Sequence, residues 1–191
     1  MDHHDHVALL RGGVRGQGEN WADIGAGSGA FTLALAELLG PGGWIVAVDR
    51  DAGALHENAA AMAARHPEVT LRTLVGDLTG SLDLAALDGL VAANSLHFVP
   101  RDRQVEVIRR LAGHLRPGGL FLVVEYDADR GNPWVPHPFS VEGWRRSSTA
   151  AGLVGMRPLG RVPSRFLGAI YSALAQRPND ATSRSTSDES L

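Results

Sequence analysis

The segment Trp21–Arg50 constrains the fold of this chain more than any other stretch. It reads WADIGAGSGAFTLALAELLGPGGWIVAVDR: an apolar run, a glycine-rich loop, an Ala/Leu-rich run, a glycine-rich turn and a second apolar run. Short apolar runs bounded by glycines indicate buried strands, and the Ala/Leu-rich run between them indicates a helix. The segment therefore predicts a β-α-β unit with two parallel strands.

The glycine loop and the acid that closes this unit predict a binding site. Glycines at positions 25, 27 and 29 permit backbone angles closed to other residues, and they let a ligand approach the main chain without meeting a Cβ atom. The helix that follows directs its free N–H groups into the same space. Asp49 ends the second strand, where its carboxylate can accept both hydroxyls of a ribose. We expect an adenosine-type cofactor at this position.

The loop alone does not distinguish one such cofactor from another. Gly25, Gly27 and Ala30 also satisfy the pattern G-x-G-x-x-G/A of dinucleotide-binding folds. The choice of cofactor therefore depends on the rest of the chain.

Composition excludes several classes of function. The 191 residues carry a net charge of −3 and are 44% hydrophobic, as in an ordinary soluble domain. The chain has no Cys, which excludes disulfides and cysteine nucleophiles, and no Lys, which excludes lysine Schiff bases and a P-loop. Its 18 basic residues are scattered among 21 acids, so we expect no nucleic-acid partner. No apolar run is long enough to span a membrane, and MDHHDH does not resemble a signal peptide, so we expect a cytoplasmic protein without a membrane partner.

The rest of the chain alternates predicted strands and helices. Strands are predicted over residues 69–75, 90–94, 120–124, 154–158 and 166–174, and helices over residues 51–66, 82–87, 102–115 and 141–151. This alternation implies a parallel sheet with right-handed crossovers. The join between the last two strands is too short for a crossover helix, so these strands should pair antiparallel. We predict an α/β fold with a doubly wound, mostly parallel, seven-stranded Rossmann-like sheet and a C-terminal antiparallel pair.

One domain is expected over residues 21–176, between an N-terminal segment over 1–20 and a disordered tail over 177–191. The first residues are rich in His and Asp, and Val7–Leu10 is an apolar patch, so we expect a short helix and then a flexible connection into the first strand. His3, His4 and His6 are a candidate metal site, but we favour a solvated terminus because histidine clusters at chain ends are usually disordered. We therefore expect no metal. A third interpretation, a lid that folds over the cofactor, stays open.

Five motifs, in order along the chain, resemble those of class I S-adenosylmethionine-dependent methyltransferases. DIGAGSGAF resembles the first motif of that family, VDRD the acidic end of its second strand, and GDL its adenine-proximal acid. ANSLHFV and LRPGG resemble the menaquinone/ubiquinone-biosynthesis-like branch, the methyltransferase type 11/25 group. The resemblance spans Trp21 to Leu174.

This resemblance implies S-adenosyl-L-methionine as the cofactor and methyl transfer to O, N or C of a small molecule as the reaction. It implies a set of cofactor-binding residues in the loops that follow the first four strands: Asp23, Gly25, Ala26, Gly27, Gly29, Asp49, Arg50, Gly76, Asp77, Leu78, Asn94 and Ser95.

Three residues are candidates for catalysis. His97 is the titratable residue of ANSLHFV, and a histidine can take up a proton near neutral pH. The alternative, that His97 packs against the cofactor or caps a turn, stays open. Tyr126 and His137 lie where the fifth strand ends and in the loop expected to cover the substrate. That loop is short, so the substrate site is either open or completed by a second subunit in a homodimer.

Two other functions remain as alternatives. One is an NAD(P)-dependent Rossmann oxidoreductase, which is disfavoured because a Tyr-x-x-x-Lys pair cannot exist without Lys. The other is an adenosyl-cofactor-binding protein whose role is not methylation, and its cofactor motifs would look the same.

Overall fold

The computed structural model describes residues 1–179 and forms a seven-stranded sheet between two layers of helices. In chain order the elements are α1 (His3–Leu10), β1 (Asn20–Ile24), α2 (Ala30–Leu39), β2 (Trp44–Asp49), α3 (Ala52–Arg65), β3 (Thr70–Val75), β4 (Leu87–Ala93), a 3₁₀ turn (Leu96–Phe98), α4 (Arg101–Ala112), β5 (Leu115–Tyr126), α5 (Val141–Ala150), β6 (Val154–Pro163) and β7 (Ala169–Gln176).

The strand order is β3-β2-β1-β4-β5-β7-β6. The first five strands of the chain pair in parallel, β7 pairs antiparallel with β5, and β6 pairs antiparallel with β7. The predicted doubly wound sheet with its terminal antiparallel pair is therefore confirmed. Strands β2 and β3 extend one side of β1, whereas β4 and β5 extend the other. Ligands bind such sheets at the carboxyl ends of the strands where the order reverses, here between β1 and β4.

Both faces of the central strands are buried. Trp21 and Leu122 belong to an apolar cluster that includes residues of α1 and α2, whereas Ala22 and Phe121 belong to a second cluster with residues of α4 and α5. Strands covered on both faces have continuous apolar sequences, which is why short apolar runs predicted them well. None of the helices described within residues 1–179 is long and apolar enough to cross a membrane.

The short helix expected in the N-terminal segment is confirmed as α1, but the solvated terminus that we favoured for its His/Asp-rich start is not. Asp2 and Asp5 form a reciprocal capping box at the start of α1, because each side chain accepts the backbone N–H of the other, at 3.0 and 3.2 Å. Val7, Leu9 and Leu10 are buried against the core. Residues 3–10 are therefore a packed helix and not a solvated terminus. None of residues 1–20 lines the cavity described below, and a lid formed by this segment stays a prediction.

Several further boundaries differ from prediction, and strand β6 extends to Pro163, into the residues predicted to join the last two strands. Residues 82–86 have no regular structure, so the helix predicted there is wrong, and Leu87 already belongs to β4. Strand β5 begins at Leu115, and its pairing with β4 contains an irregularity between Leu87 and Gly89. Strand β7 begins at Ala169 and not at residue 166.

The predicted tail over 177–191 begins with a residue that is held by the sheet. The backbone N–H of Arg177 donates to the carbonyl oxygen of Gly119 at 2.9 Å, and the Arg177 guanidinium donates to the carbonyl of Gly113 at 3.0 Å. Residues 180–191 lie outside the described part of the chain, and so does the disorder predicted for them.

Candidate active site

A cavity of about 370 Å³ lies at the carboxyl ends of β1, β2, β3 and β4. This volume falls within the usual range of small-molecule sites. The loops after these four strands form most of its wall, whose residues are Gly25, Gly27, Val48, Asp49, Arg50, Asp51, Ala54, Gly76, Asp77, Leu78, Thr79, Asn94, Ser95, Phe98 and Val99. The cavity thus occupies the place that the strand order predicts.

Asp49 links the glycine loop to the end of β2. Its Oδ2 accepts the backbone N–H of Gly27 at 2.8 Å, and its Oδ1 accepts the backbone N–H of Asp51 at 2.9 Å. Each carboxylate oxygen has a second lone pair, so Asp49 can still accept the two hydroxyls of a ribose. Asp51 caps α3 by accepting from Gly53 and Ala54, at 2.8 and 3.1 Å. Both acids line the cavity, but only Asp51 caps the helix, so the carboxylate of Asp49 is the one joined to the glycine loop.

The three glycines of the loop are required for different reasons. A Cβ on Gly25 would lie 2.5 Å from the Ser95 Cβ, and a Cβ on Gly29 would lie 2.5 Å from the Asn58 Oδ1. A Cβ on Gly27 would meet no atom within 4 Å, although this residue has a φ of +51° and lines the cavity. Gly25 and Gly29 therefore allow close internal packing, and Gly27 is the position where the bare main chain borders open space.

Asn94 presents an unsatisfied acceptor at the opposite wall. It is a non-glycine residue with a positive φ, +51°, and its Oδ1 is buried without a hydrogen-bond partner among the described residues. Backbone strain and an unpaired buried oxygen both lower the stability of the fold, and residues with such features are common at binding sites. Its neighbour Ser95 is already bonded, since its hydroxyl donates to the carbonyl of Ile24 at 2.8 Å.

Asp77 has both a structural contact and a place in the cavity wall. Its Oδ1 accepts the backbone N–H and the hydroxyl of Thr79, each at 2.7 Å. These hydrogen bonds, together with the nearby Arg50 and Arg103, lower the pKa of Asp77 below its ordinary value. An ionised acceptor therefore faces the cavity at neutral pH.

Asp23 is buried below the cavity wall and does not line it. Its Oδ2 accepts the Thr32 hydroxyl at 2.6 Å, and its Oδ1 has no partner among the described residues. Burial raises the pKa of Asp23 to about 7 against the opposing effect of the Thr32 hydrogen bond, and the negative charge of Asp49 raises it further.

His97 and Glu125 form a buried pair next to the cavity. The side chains are 3% and 0% exposed, and the His97 Nδ1 lies 2.9 and 3.0 Å from the two Glu125 carboxylate oxygens. Glu125 Oε1 also accepts the backbone N–H of Tyr126 at 2.8 Å. A carboxylate at Nδ1 fixes the ring so that the second ring nitrogen, Nε2, is the basic one.

Aromatic rings flank this histidine on two sides. The centroid of the Phe98 ring is 4.3 Å from that of His97, and the Tyr126 ring meets the His97 ring edge-on at 5.7 Å. Phe98 is 60% exposed and lines the cavity, so the ring that contacts His97 also forms part of the cavity wall. Burial, reinforced by the Glu125 charge, raises the pKa of Tyr126 above its ordinary value.

The structure brings most of the predicted site residues together. Those in the cavity wall are Gly25, Gly27, Asp49, Arg50, Gly76, Asp77, Leu78, Asn94 and Ser95. The other three predicted residues, Asp23, Ala26 and Gly29, are buried and do not line the cavity. The three catalytic candidates lie near one another: Tyr126 contacts His97 through its ring, and the backbone N–H of His137 donates to the His97 carbonyl at 3.0 Å. Whether any of them takes part in catalysis stays a prediction.

Several residues of the site were not predicted. Phe98 and Thr79 line the cavity. Glu125 was a further candidate at the end of the fifth strand, but its role as the hydrogen-bond partner of His97 was not predicted. An exposed aromatic residue directly after His97 was an available signal for Phe98. The pairing of His97 with Glu125 depends on the adjacency of β4 and β5, which no local pattern reveals.

The family model of the methyltransferase domain matches residues 22–121, more than half of the chain. Carboxy-S-adenosyl-L-methionine synthase from Citrifermentans bemidjiense is 26% identical over 129 residues, which are 63% of this chain and 50% of that protein. The chain thus spans about half the length of this curated relative.

Solved structures of similar fold contain related cofactors. 1,6-Didemethyltoxoflavin-N1-methyltransferase from Burkholderia thailandensis, with S-adenosylhomocysteine bound, is 21% identical with a TM-score of 0.72. The alignment covers 93% of this chain and 79% of that enzyme. Magnesium protoporphyrin IX methyltransferase from Synechocystis, with S-adenosylmethionine bound, is 19% identical with a TM-score of 0.68 and covers 92% and 77%. At this identity the likeness shows the fold. The comparisons together support S-adenosylmethionine as the cofactor, and the acceptors and bare main chain of the cavity fit its ribose, amines and adenine.

Proposed function

Because the chain belongs to the methyltransferase domain family, we propose that it transfers the methyl group of S-adenosylmethionine to an O, N or C atom of a small molecule. The observation that carries this proposal is the cavity itself. Ionised Asp77, the two-oxygen acceptor Asp49, the bare main chain of Gly27 and Asn94 all border one space at the reversal point of the sheet.

When bound, S-adenosylmethionine supplies an electrophilic methyl group on a positively charged sulfur. The contribution of the chain is mainly to align the reacting groups, and good alignment can lower a barrier by about 7–11 kcal/mol. Asp49 and the glycine loop are joined by a hydrogen bond of 2.8 Å, which holds together the part of the site that would bind the ribose. A preformed site loses less free energy to ordering when the cofactor binds.

His97 is the residue we propose as the general base. Its Nδ1 is paired with Glu125, and its Nε2 has no hydrogen bond to another residue within 1–179, so Nε2 can accept the proton of a hydroxyl or amine acceptor. Glu125 would then stabilise the protonated ring, as the acid of a catalytic triad does. Tyr126 would form a wall beside the ring, and His137 would hold the loop through its backbone.

The aromatic surroundings favour a planar acceptor. Phe98, which is 60% exposed and lines the cavity, offers a ring surface next to His97, and ring surfaces attract other aromatic groups. We therefore place a phenolic or hydroquinone-like ring first among the acceptors. A cytoplasmic location, and a second copy of the chain that closes the substrate side, are parts of the same proposal. The absence of a nucleic-acid partner is supported by the lack of a basic stripe.

The experiment uses S-adenosylmethionine with a labelled methyl group and a panel of phenols, hydroquinones, amines and carbon acids. We expect label in at least one acceptor and a loss of about 10²–10⁴ in the rate with His97→Gln, because one general base contributes about that much. The affinity for S-adenosylhomocysteine should stay unchanged in that variant. His56→Gln, on the exposed face of α3, is the matched control and should keep full activity.

Two results would overturn the proposal. Binding of NAD in preference to S-adenosylhomocysteine by calorimetry would indicate an oxidoreductase. Tight S-adenosylhomocysteine binding without methyl transfer to any acceptor class would indicate a cofactor-binding protein with another role. Full activity of His97→Gln would refute the assignment of His97 alone.

A further inference from the structure

Three buried polar side chains form a chain of hydrogen bonds beneath the glycine loop. Asn58 on α3 donates through its side-chain amide to the Thr32 hydroxyl oxygen at 2.8 Å, and the Thr32 hydroxyl on α2 donates to Asp23 Oδ2 on β1 at 2.6 Å. Asn58 and Thr32 are 0% exposed and Asp23 is 1% exposed. The chain of bonds therefore joins three separate elements at the foot of the cavity.

The direction of these bonds is determined by their donors. Because the Asn58 amide donates to the Thr32 oxygen, the Thr32 hydroxyl hydrogen is directed to Asp23. This hydrogen bond occupies Oδ2 of Asp23 and leaves Oδ1 as the oxygen without a partner among the described residues. A buried carboxyl oxygen without a donor is unfavourable unless something else supplies one.

We propose that Asn58 and Thr32 are positioning residues for the cofactor, which act through Asp23 by holding its Oδ1 toward the ammonium group of the amino-acid part of S-adenosylmethionine. This inference rests on the proposed function and adds two residues that do not line the cavity. The ammonium group is the one strong donor that an adenosyl amino-acid cofactor carries apart from its adenine amine and ribose hydroxyls. A positive charge next to a buried carboxylate would also offset the cost of ionising Asp23.

The position of Asn58 against the loop supports this role. A Cβ on Gly29 would lie 2.5 Å from Asn58 Oδ1, so the same side chain that orients Thr32 also packs directly against the last glycine of the loop. The Asn58 Oδ1 is itself buried without a partner. An apolar residue of the same size would fill this space without an unpaired oxygen, so packing alone does not explain why asparagine is present.

The test compares two ligands that differ in the amino-acid part. S-Adenosylhomocysteine carries that part, whereas 5′-methylthioadenosine has the adenosine and the thioether without it. In Thr32→Val, which keeps the volume and removes the hydroxyl, we expect calorimetry to show at least about a tenfold loss of affinity for S-adenosylhomocysteine. The affinity for 5′-methylthioadenosine should change by less than about twofold. Asn58→Leu should show the same pattern as Thr32→Val: a loss of affinity for S-adenosylhomocysteine and little change for 5′-methylthioadenosine. Thr32→Ser, which restores the hydroxyl, should recover S-adenosylhomocysteine binding.

The control variant is Ser148→Ala. Ser148 is another buried hydroxyl, 1% exposed, which donates to the carbonyl of Arg145 within α5. It does not line the cavity and has no hydrogen bond to the glycine loop among the described residues. Its removal should leave both affinities unchanged. Unfolding curves for each variant would confirm that it is folded under the conditions of the titration.

The outcomes separate this inference from the proposed function. Equal losses for both ligands in Thr32→Val would mean that the chain of bonds merely stiffens the loop, and unchanged affinity for S-adenosylhomocysteine would mean that it has no role in binding. Either result would overturn the inference. The proposed function would stand as long as the wild-type protein binds S-adenosylhomocysteine. Failure of the wild-type protein to bind S-adenosylhomocysteine would overturn both.

Discussion

Replacement of Asp23 by asparagine is expected to raise the unfolding free energy of the ligand-free protein, relative to wild type, as the pH rises. The reason is that burial raises the pKa of Asp23 to about 7 in the folded protein, from an ordinary value of 3.8. A group with a raised folded-state pKa contributes stability that is fully present below its unfolded pKa. That stability is lost as the pH rises toward the folded pKa, and the loss is complete above about 7.

The magnitude follows from these two values. Since one pKa unit corresponds to about 1.4 kcal/mol, the full loss is about 4 kcal/mol, of which about 3 kcal/mol falls between about pH 5 and pH 8. Asparagine does not titrate and escapes this loss. Its side-chain amide would have an unpaired donor in the buried site, which costs about 1–3 kcal/mol, but that cost does not depend on pH. The difference in unfolding free energy between variant and wild type should therefore shift by about 3 kcal/mol in favour of the variant over this interval.

Urea unfolding of the ligand-free protein at several pH values, followed by circular dichroism, measures this difference. Asp83→Asn is a matched control because the Asp83 side chain is 92% exposed, and its difference from wild type should stay constant with pH. The same Asp23→Asn variant should bind S-adenosylhomocysteine more weakly. A difference between Asp23→Asn and wild type that is equal at both ends of the pH range would refute the placement of an ionisable, poorly solvated carboxyl beneath the loop.

Two further predictions concern the glycine loop and the substrate loop. Gly25→Ala should destabilise the fold by several kcal/mol, because its Cβ would meet Ser95 at 2.5 Å in a backbone with φ +77°. Gly27→Ala should cost only about 1–2 kcal/mol of strain and chiefly weaken cofactor binding. Thermal unfolding and calorimetry would show this contrast, and equal stability losses would contradict it. Gln104→Leu should speed amide hydrogen exchange over residues 127–140, because Gln104 donates to the His137 carbonyl at 2.7 Å; unchanged exchange there would contradict its role as an anchor.

The sheet and the cofactor cavity could be predicted because their signals are local. Apolar runs, glycine turns and an acid at a strand end each depend on a few neighbouring residues, and the described structure places Gly27 and Asp49 in one cavity wall as expected. The antiparallel end of the sheet followed from the length of one join. These inferences needed only strand periodicity and the geometry of crossovers.

The errors arose where tertiary contacts outweighed local preference. Residues 82–86 contain good helix formers, but so short a segment gains too few hydrogen bonds to offset helix nucleation. The Pro-Gly-Gly sequence at 117–119 looked like a turn before the strand, yet Leu115 already pairs with Leu87 across an irregular register. A short helix was expected near the N-terminus, but the capping box of Asp2 and Asp5, which indicates where α1 begins, was not weighed against the bias toward disordered ends.

The polar pairs inside the protein could not be predicted from spacing. Asn58 lies in an Ala-rich helix where nothing marks it as buried, and its partner Thr32 is on another helix. The His97–Glu125 pair joins residues 28 apart that meet because β4 and β5 are adjacent. Such contacts depend on which faces of two elements meet, and that information is not contained in either segment alone.

The central claim is that Asp49 holds the ribose of an adenosyl cofactor at the carboxyl edge of the sheet, and calorimetric titration with S-adenosylhomocysteine tests it most directly. For Asp49→Ala we predict a loss of affinity of about 10- to 100-fold relative to wild type, because hydrogen bonds to a charged group contribute about 1.5–3 kcal/mol. Asp83→Asn should bind as wild type does. Unchanged affinity in Asp49→Ala would contradict the account.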